Sequence, residues 1–444
     1  MSGHPLLRNF ELDSVFAYYG GASIPAKRFL HDAQQVAHEL PDKAYVLNVC
    51  ADRYRFCVGF AAALLRGQVT LLPPSQTLDT LERLQSAYGD VYTLTDSGDA
   101  DGPLPTIAFP VFRAFDGAAR PIPLIPASQP AALMFTSGST GEPVPHAKSW
   151  GTLIESGAAE GTRLNLTGSG TAVLGTVPSQ HMYGLESTVM MPLQCGLAMH
   201  AARPFYPADV CDALEALPHP RALVTTPVHL RSLVSGAGAL PRVDIVVCAT
   251  SALTPQLAAQ AEARFEAPLY EIYGCTEAGQ VATRRTVEAP EWRALPGINL
   301  REDEDGIHVH GGHVHDEILL NDVIELRGEG RFLLHGRKSD LVNIAGKRTS
   351  LAHLNFHLNS IDGVRDGVFV VPEDAGGSVA RLMAFVVAPD LERETVLEEL
   401  RRRIDPAFMP RPLNFVAALP RNATGKLPRA SLQALVSEAD AAAD

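Results

Sequence analysis

Apolar runs of strand length recur along the first 335 residues, at 44–49, 69–72, 171–177, 222–225 and 245–250. Between them lie stretches with helical spacing, such as 54–65 and 257–265. Thr254 before Pro255 supplies a side-chain cap and a ring already set at helical φ, a good start for the second of these helices. Strands alternating with helices predict an α/β fold with mostly parallel sheets. Two stretches read as connectors. One is the polar, turn-rich 96–105; the other is 118–130, whose Pro121, Pro123, Pro126 and Pro130 forbid a helix. Past Arg337 the pattern changes to a short α+β unit: a helix over 351–359, strands over 367–371 and 382–388, a helix over 393–404 and a last helix. The division expected is therefore a large N-terminal domain, 1–336, and a small C-terminal one, 337–444.

Composition narrows the class. With 444 residues, 46% hydrophobic and 20% charged, the chain can bury a sizeable core without staples. The net charge of −13 argues against generic nucleic-acid binding, which needs a broad basic surface. Apolar stretches such as 58–65 stop well short of the roughly 18 residues of a membrane span. Six cysteines form no C-x-x-C pair, and the first residues lack a signal-peptide pattern, so a cytoplasmic protein with reduced thiols is expected.

The candidate chemistry begins at Phe135-Thr136-Ser137-Gly138-Ser139-Thr140-Gly141-Glu142-Pro143. Small residues let backbone N–H groups approach an anion, and four hydroxyls add donors, which suits phosphate oxygens. The loop is not a Walker A sequence, and no G-x-G-x-x-G or G-x-S-x-G occurs. Alone it could be a surface turn. Three further segments follow: Tyr273-Gly274-Cys275-Thr276-Glu277, Asp322 fifteen residues before Arg337, and Arg421–Lys426 (RNATGK) with Arg429. Together, in this order, the four resemble the motifs of the adenylate-forming superfamily, which includes acyl-CoA synthetases, peptide-synthetase adenylation domains and luciferases.

That resemblance implies ATP-dependent activation of a carboxylic acid to an acyl-adenylate, then transfer to a thiol of coenzyme A or of a carrier protein's phosphopantetheine. It assigns Thr136, Ser137, Gly138, Ser139, Thr140 and Gly141 to the β- and γ-phosphates, and Tyr273 and Gly274 to the adenine. Thr276 would serve the α-phosphate, Glu277 would hold Mg²⁺, and Asp322 with Arg337 would hold the ribose. Lys426 would bridge the carboxylate and the α-phosphate. His181, in P-x-x-H-x-x-G, and Ala249-Thr250-Ser251 would line the acyl pocket. The C-terminal domain would swing about Arg337–Asp340, with Ser339, Gly346 and Arg348 serving the hinge and the thiol tunnel.

Two positions depart from the family pattern. Val144 stands where a lysine usually follows the loop proline, with Lys148 a possible stand-in, and Ser339 replaces the usual hinge acid. Asn48–Cys57 (N-x-C-x-x-R-Y-x-F-C) is similar to ligases of aryl-polyene and xanthomonadin pigment clusters, implying an aryl acid such as a hydroxybenzoate or coumarate. A fatty acyl ligase and a nucleotide-binding pseudoenzyme are the alternatives. Partners would be the small acid and, for one acceptor, a free-standing carrier protein, with no nucleic acid or membrane. His308, His310, His313 and His315 alternate around Gly311-Gly312 and could suggest a metal, but read better as the outer positions of a surface hairpin.

Overall fold

The computed structural model describes residues 3–98, 102–137, 143–337, 340–344, 347–372, 382–422 and 425–441. Two sheets dominate. In the eleven-stranded sheet, Leu269–Cys275, Ile245–Cys248, Arg221–Thr225, Ala172–Gly175, Ala198–His200 and Val15–Tyr19 run parallel side by side. Antiparallel strands complete both flanks: Ala22–Pro25 on one, and Gly279–Arg284, Trp292–Ala294, Arg331–Arg337 and Asp322–Gly328 on the other. The six-stranded sheet is parallel except for its edge strand Pro143–Ser149. Sheets that are parallel at the centre and antiparallel at the edges make this a mixed α/β fold.

The parallel strands are near-continuous apolar runs because helices cover them. The helix Arg53–Leu65 is buried along almost its whole length, in a core that also takes Ala26–Glu39. Helices start where the sequence offers caps. Thr254 Oγ1 accepts Leu257 N–H at 3.3 Å ahead of Pro255–Phe265, and Thr226 Oγ1 accepts His229 N–H at 3.4 Å ahead of Pro227–Ser235. The proline-rich connector is more ordered than its composition suggests, since Leu124–Pro126 pairs antiparallel with Gly3–Pro5.

Beyond the hairpin Leu341–Ile344/Lys347–Ser350, the chain builds a core of its own. Asp366–Val370 pairs antiparallel with Met383–Val387, which pairs parallel with Leu413–Phe415. The helices Leu351–Asn359 and Arg393–Arg403 pack on this small sheet through Leu354, Leu358, Val396 and Leu400. Arg231 donates to Arg365 O at 2.5 Å, and Ser350 Oγ to His335 O at 3.0 Å, tying this unit to the preceding one. No helix among the described residues is long and apolar enough to cross a membrane.

Candidate active site

In open parallel sheets, ligands collect outside the carboxyl ends of the strands. Here the strands Arg221–Thr225, Ile245–Cys248 and Leu269–Cys275 all end at one cavity of about 1400 Å³, and the C-terminal unit closes its far side. Its walls include His181, Ala249, Thr250, Ser251, Tyr273, Gly274, Thr276, Asp322, Arg337 and Lys426. Residues more than 240 positions apart thus face one space.

Tyr273 is 8% exposed and set against Trp292 and Phe332, with ring centroids 5.7 Å away in each case. Its hydroxyl donates to Asp322 Oδ2 at 2.7 Å. Burial, then the Asp322 carboxylate, push the phenol far above its usual range, so it remains a donor. Asp322 opens the strand Asp322–Gly328 opposite Arg337, whose Nε stands 3.9 Å from Asp322 Oδ1. Burial raises the carboxyl above its ordinary value, against the lowering pull of Tyr273 and Arg337.

Thr276 and Glu277 sit in the turn between Leu269–Cys275 and Gly279–Arg284. The hairpin Pro130–Ser137/Pro143–Ser149 supports this turn. Thr136 Oγ1 is 2.9 Å from His146 Nε2, and His146 Nε2 is 4.0 Å from Glu277 Oε1. Lys148, 7% exposed, donates from Nζ to Glu277 O at 2.5 Å. Burial lowers its pKa, with Glu186 the main opposing charge. The candidate stand-in lysine therefore points at the backbone behind Glu277, while Val144 is exposed. Gly138, Ser139, Thr140 and Gly141 lie outside the described residues, as do Ser339, Gly346 and the side chains of Ser137, Arg348 and Arg429.

Lys426 reaches the cavity on a loop fastened at both ends. Arg421 donates to Asp366 from Nε at 2.7 Å and Nη2 at 2.8 Å, and from Nη1 to Gly425 O at 2.9 Å. Asn422 Oδ1 accepts Lys426 N–H at 3.0 Å. Gly425 has φ +76°, and a Cβ there would stand 3.1 Å from Val228 Cγ2, so glycine lets the loop lie close against the large unit. Lys426 borders the cavity while staying solvent-exposed as a residue. Partial desolvation and then Arg337 hold its pKa below the usual lysine value, with Glu277 opposing.

His181 is half-buried, with Nδ1 buried and unpartnered. Burial, then the Lys426 charge, push its pKa down to about 4, so the imidazole is neutral near pH 7. Tyr183, behind it, has its hydroxyl within reach of Thr225 O at 3.2 Å and Val247 O at 3.0 Å, which fixes the two strand ends. Thr250 has φ +88°; it is the one β-branched residue with positive φ among those described, a strained conformation typical of functional sites.

Sequence reasoning missed the carboxylates and amide beside this cavity: Glu160, Glu186 and Gln280. The available signal was Glu186, a lone acid in the apolar run 182–195. It also missed Asp366, which nothing in its local sequence marks. The histidine-rich hairpin Ile307–Gly311/Val314–Leu319 forms, but His313 is not an outer position. It is 5% exposed, with Nε2 2.8 Å from Gln280 O. No group of three or more His, Cys, Asp or Glu among the described residues could hold a metal ion. A Mg²⁺ bound through nucleotide phosphates needs only one or two carboxylates; Glu277, next in the turn to the cavity-lining Thr276 though not itself in the cavity wall, is the carboxylate that fits that requirement.

The chain is 30% identical over 314 residues to a 4-coumarate–CoA ligase of Halorhodospira halophila, covering 66% of this chain and 73% of that one. Among solved structures, ATP-bound MatB from Rhodopseudomonas palustris matches with TM-score 0.80 over 97% of each chain at 18% identity. An o-succinylbenzoate CoA synthetase from Bacillus subtilis, in complex with its acyl-adenylate intermediate, matches with TM-score 0.79 over 95% of each at 19% identity. These two share its fold. The model of the AMP-binding enzyme family matches residues 32–304, more than half of the sequence, and the chain belongs to that family.

Proposed function

We propose that this protein is an acid–thiol ligase that activates an aromatic carboxylic acid with ATP and passes the acyl group to the thiol of coenzyme A. The observation carrying this reading is that Lys426, from the C-terminal unit, borders the same cavity as Tyr273, Asp322 and Thr276. Adenylation moves negative charge onto phosphate oxygens, so fixed donors and cations aimed there lower the barrier. Asp322 accepts the ribose hydroxyls beside Arg337, and Tyr273 gives the adenine a flat wall. Thr276 donates to the α-phosphate, and the loop 136–141 takes the outer phosphates. Glu277 would hold a Mg²⁺, which would supply positive charge to the phosphates. Lys426 spans the attacking carboxylate and the α-phosphate, and its lowered pKa fits an ammonium drawn from bulk water. His181, neutral and beside Lys426, shapes the pocket mouth rather than moving a proton.

The division at 336/337 makes the C-terminal unit a movable lid. Lys426 borders the cavity, which supports its role in adenylation, and a turn about Arg337–Asp340 would present 343–348 to the incoming thiol. The similarity to a 4-coumarate–CoA ligase supports an aryl acid and coenzyme A. A carrier-protein thiol is the competing acceptor, and ATP with coenzyme A places the reaction in the cytoplasm.

The test is acid-dependent pyrophosphate release with aryl and fatty acids, followed by thioester analysis with coenzyme A or a holo carrier protein. Lys426→Ala should lose at least ~100-fold in pyrophosphate release while still binding ATP. Unchanged release would remove the role assigned to Lys426, and release with fatty acids alone would overturn the aryl reading.

A further inference from the structure

Arg53, the first residue of the helix Arg53–Leu65, is 1% exposed, and its hydrogen bonds reach no carboxylate among the described residues. The guanidinium donates instead to neutral acceptors: from Nη2 to Gly175 O at 2.9 Å and Val177 O at 3.0 Å, and from Nη1 to Thr188 Oγ1 at 3.3 Å. Its Nε has no partner. Burial, then the charge of Arg203, lower its pKa to about 10, so it stays charged near pH 7. The base of this side chain is itself fixed. Asp96 accepts Ala51 N–H at 2.8 Å and Asp52 N–H at 2.9 Å, and Arg53 N–H donates to Ala201 O at 2.7 Å.

The three acceptors bracket a stretch of the cavity wall. Gly175 ends the strand Ala172–Gly175, and Thr188 lies in the helical turn that follows Met182–Leu185. Between them His181, Met182 and Tyr183 line the cavity. Thr176, between the two bonded carbonyls, has Oγ1 3.1 Å from Nδ1 of His229, another lining residue. Gln180 donates from Nε2 to Cys50 O at 2.7 Å, a second tie to the chain just before Arg53. Thr188 Oγ1 donates to Gly184 O at 2.5 Å. Side chains are missing where the parts meet. A Cβ at Gly175 would stand 2.7 Å from Arg53 Nη2, and one at Gly184 would overlap Pro178 O.

A lone buried charge is costly, and neutral hydrogen bonds offset only part of that cost; an apolar side chain of like volume often serves stability as well. What the guanidinium alone supplies is a rigid fork that reaches three acceptors at once. We propose that Arg53 is a positioning residue for the acid: it fixes the stretch 175–188 so that His181 and His229 stand where the acyl group enters. The proposal rests on the acid-activating reading above. Small displacements of groups that orient a substrate cost large factors in rate. Tyr273, Thr276 and Asp322, assigned to the nucleotide, belong to other segments, and none of the Arg53 partners lies on these. Loss of Arg53 therefore acts on the acid and spares ATP.

The experiment compares Arg53→Met, Arg53→Lys and Gln180→Met with the wild type. Pyrophosphate release is followed with 4-hydroxycinnamate, benzoate or decanoate, and ATP binding to the full chain by calorimetry. With the best of these acids, Arg53→Met should lose about 10-fold or more in kcat/KM for the acid while ATP affinity stays within about threefold. Arg53→Lys, which keeps the charge but not the fork, should fall between the two. Gln180→Met, at a less buried position, should lose about 2- to 5-fold in the same sense. Arg53→Met combined with His181→Ala should lose less than the product of the single losses, because the arginine acts through that stretch. Amide hydrogen exchange over 175–188 should quicken in Arg53→Met. Unchanged acid kinetics in a folded Arg53→Met would overturn the proposal, as would an equal loss of ATP affinity or losses that multiply with His181→Ala. Should Arg53→Met not fold, the split between acid and ATP in Gln180→Met decides. If the wild type releases pyrophosphate with none of the acids, the ligase reading falls and this proposal with it; release by the wild type with unchanged variants overturns this proposal alone.

Discussion

Arg421→Met is the sharpest probe of how the C-terminal loop delivers its lysine. In the wild type the guanidinium holds Asp366 through bonds of 2.7 and 2.8 Å and Gly425 O through one of 2.9 Å, one residue before Lys426. Hydrogen bonds to charged groups contribute about 1.5–3 kcal/mol each, but they are not additive and both partners are partly exposed. We therefore take about 1.5–3 kcal/mol for the whole anchor. If that free energy serves to hold Lys426 in place, adenylation slows by about 10- to 150-fold at 1.36 kcal/mol per decade. The assay is acid-dependent exchange of labelled pyrophosphate into ATP, run beside thioester formation from supplied acyl-adenylate. The first should fall and the second stay within about threefold. A double variant with Lys426→Ala should be no slower than Lys426→Ala alone, because the anchor acts through that lysine. Equal slowing of both half-reactions, or additive losses in the double variant, would refute the reasoning.

Two other expectations follow from the buried polar groups. Lys148→Met removes the donor on Glu277 O and leaves a partly buried carbonyl unpaired, costing about 1–3 kcal/mol. Calorimetry should show MgATP affinity weakened by about 5- to 150-fold, and unchanged affinity with normal stability would show that the contact does not position the turn. Glu160 has a folded pKa of about 8 against 4.5 for the free group, so its contribution is complete below pH 4.5 and is lost as pH rises through 8. Glu160→Gln removes that loss. In urea unfolding, the variant's stability relative to wild type should rise between pH 5 and pH 8.5 by about 3–5 kcal/mol, and parallel pH curves would contradict the assignment.

Local signals in the sequence located local structure well. The helix Leu351–Asn359 lies where its apolar spacing places it, and Thr254-Pro255 starts Pro255–Phe265. The strand core Ile245–Cys248 is also where expected, although the apolar run overshoots it to Thr250, which leaves the sheet with positive φ. Pairing between distant segments was not legible. Val15–Tyr19 joins the large sheet beside Ala198–His200, and the antiparallel flanks depend on strands that no period-2 pattern assigns to a neighbour.

The same divide holds in the site. Motif residues Tyr273, Asp322, Arg337 and Lys426 could be named from sequence and do face one cavity, because each motif is a short local pattern. Their supports could not. Lys148 meets a carbonyl 129 residues away, Arg421 meets Asp366 55 residues away, and Gln280 meets Glu160 120 residues away. Each is a common polar residue whose meaning comes only from its partner.

The account stands on one space serving nucleotide, acid and lysine together. A crystal structure with 4-hydroxybenzoyl-sulfamoyl-adenosine, a stable acyl-adenylate mimic, tests this directly. It should show the ribose on Asp322 and the sulfamoyl group between Thr276 and Lys426. A mimic bound elsewhere, or with its ribose away from Asp322 and its sulfamoyl group out of reach of Lys426, would contradict it.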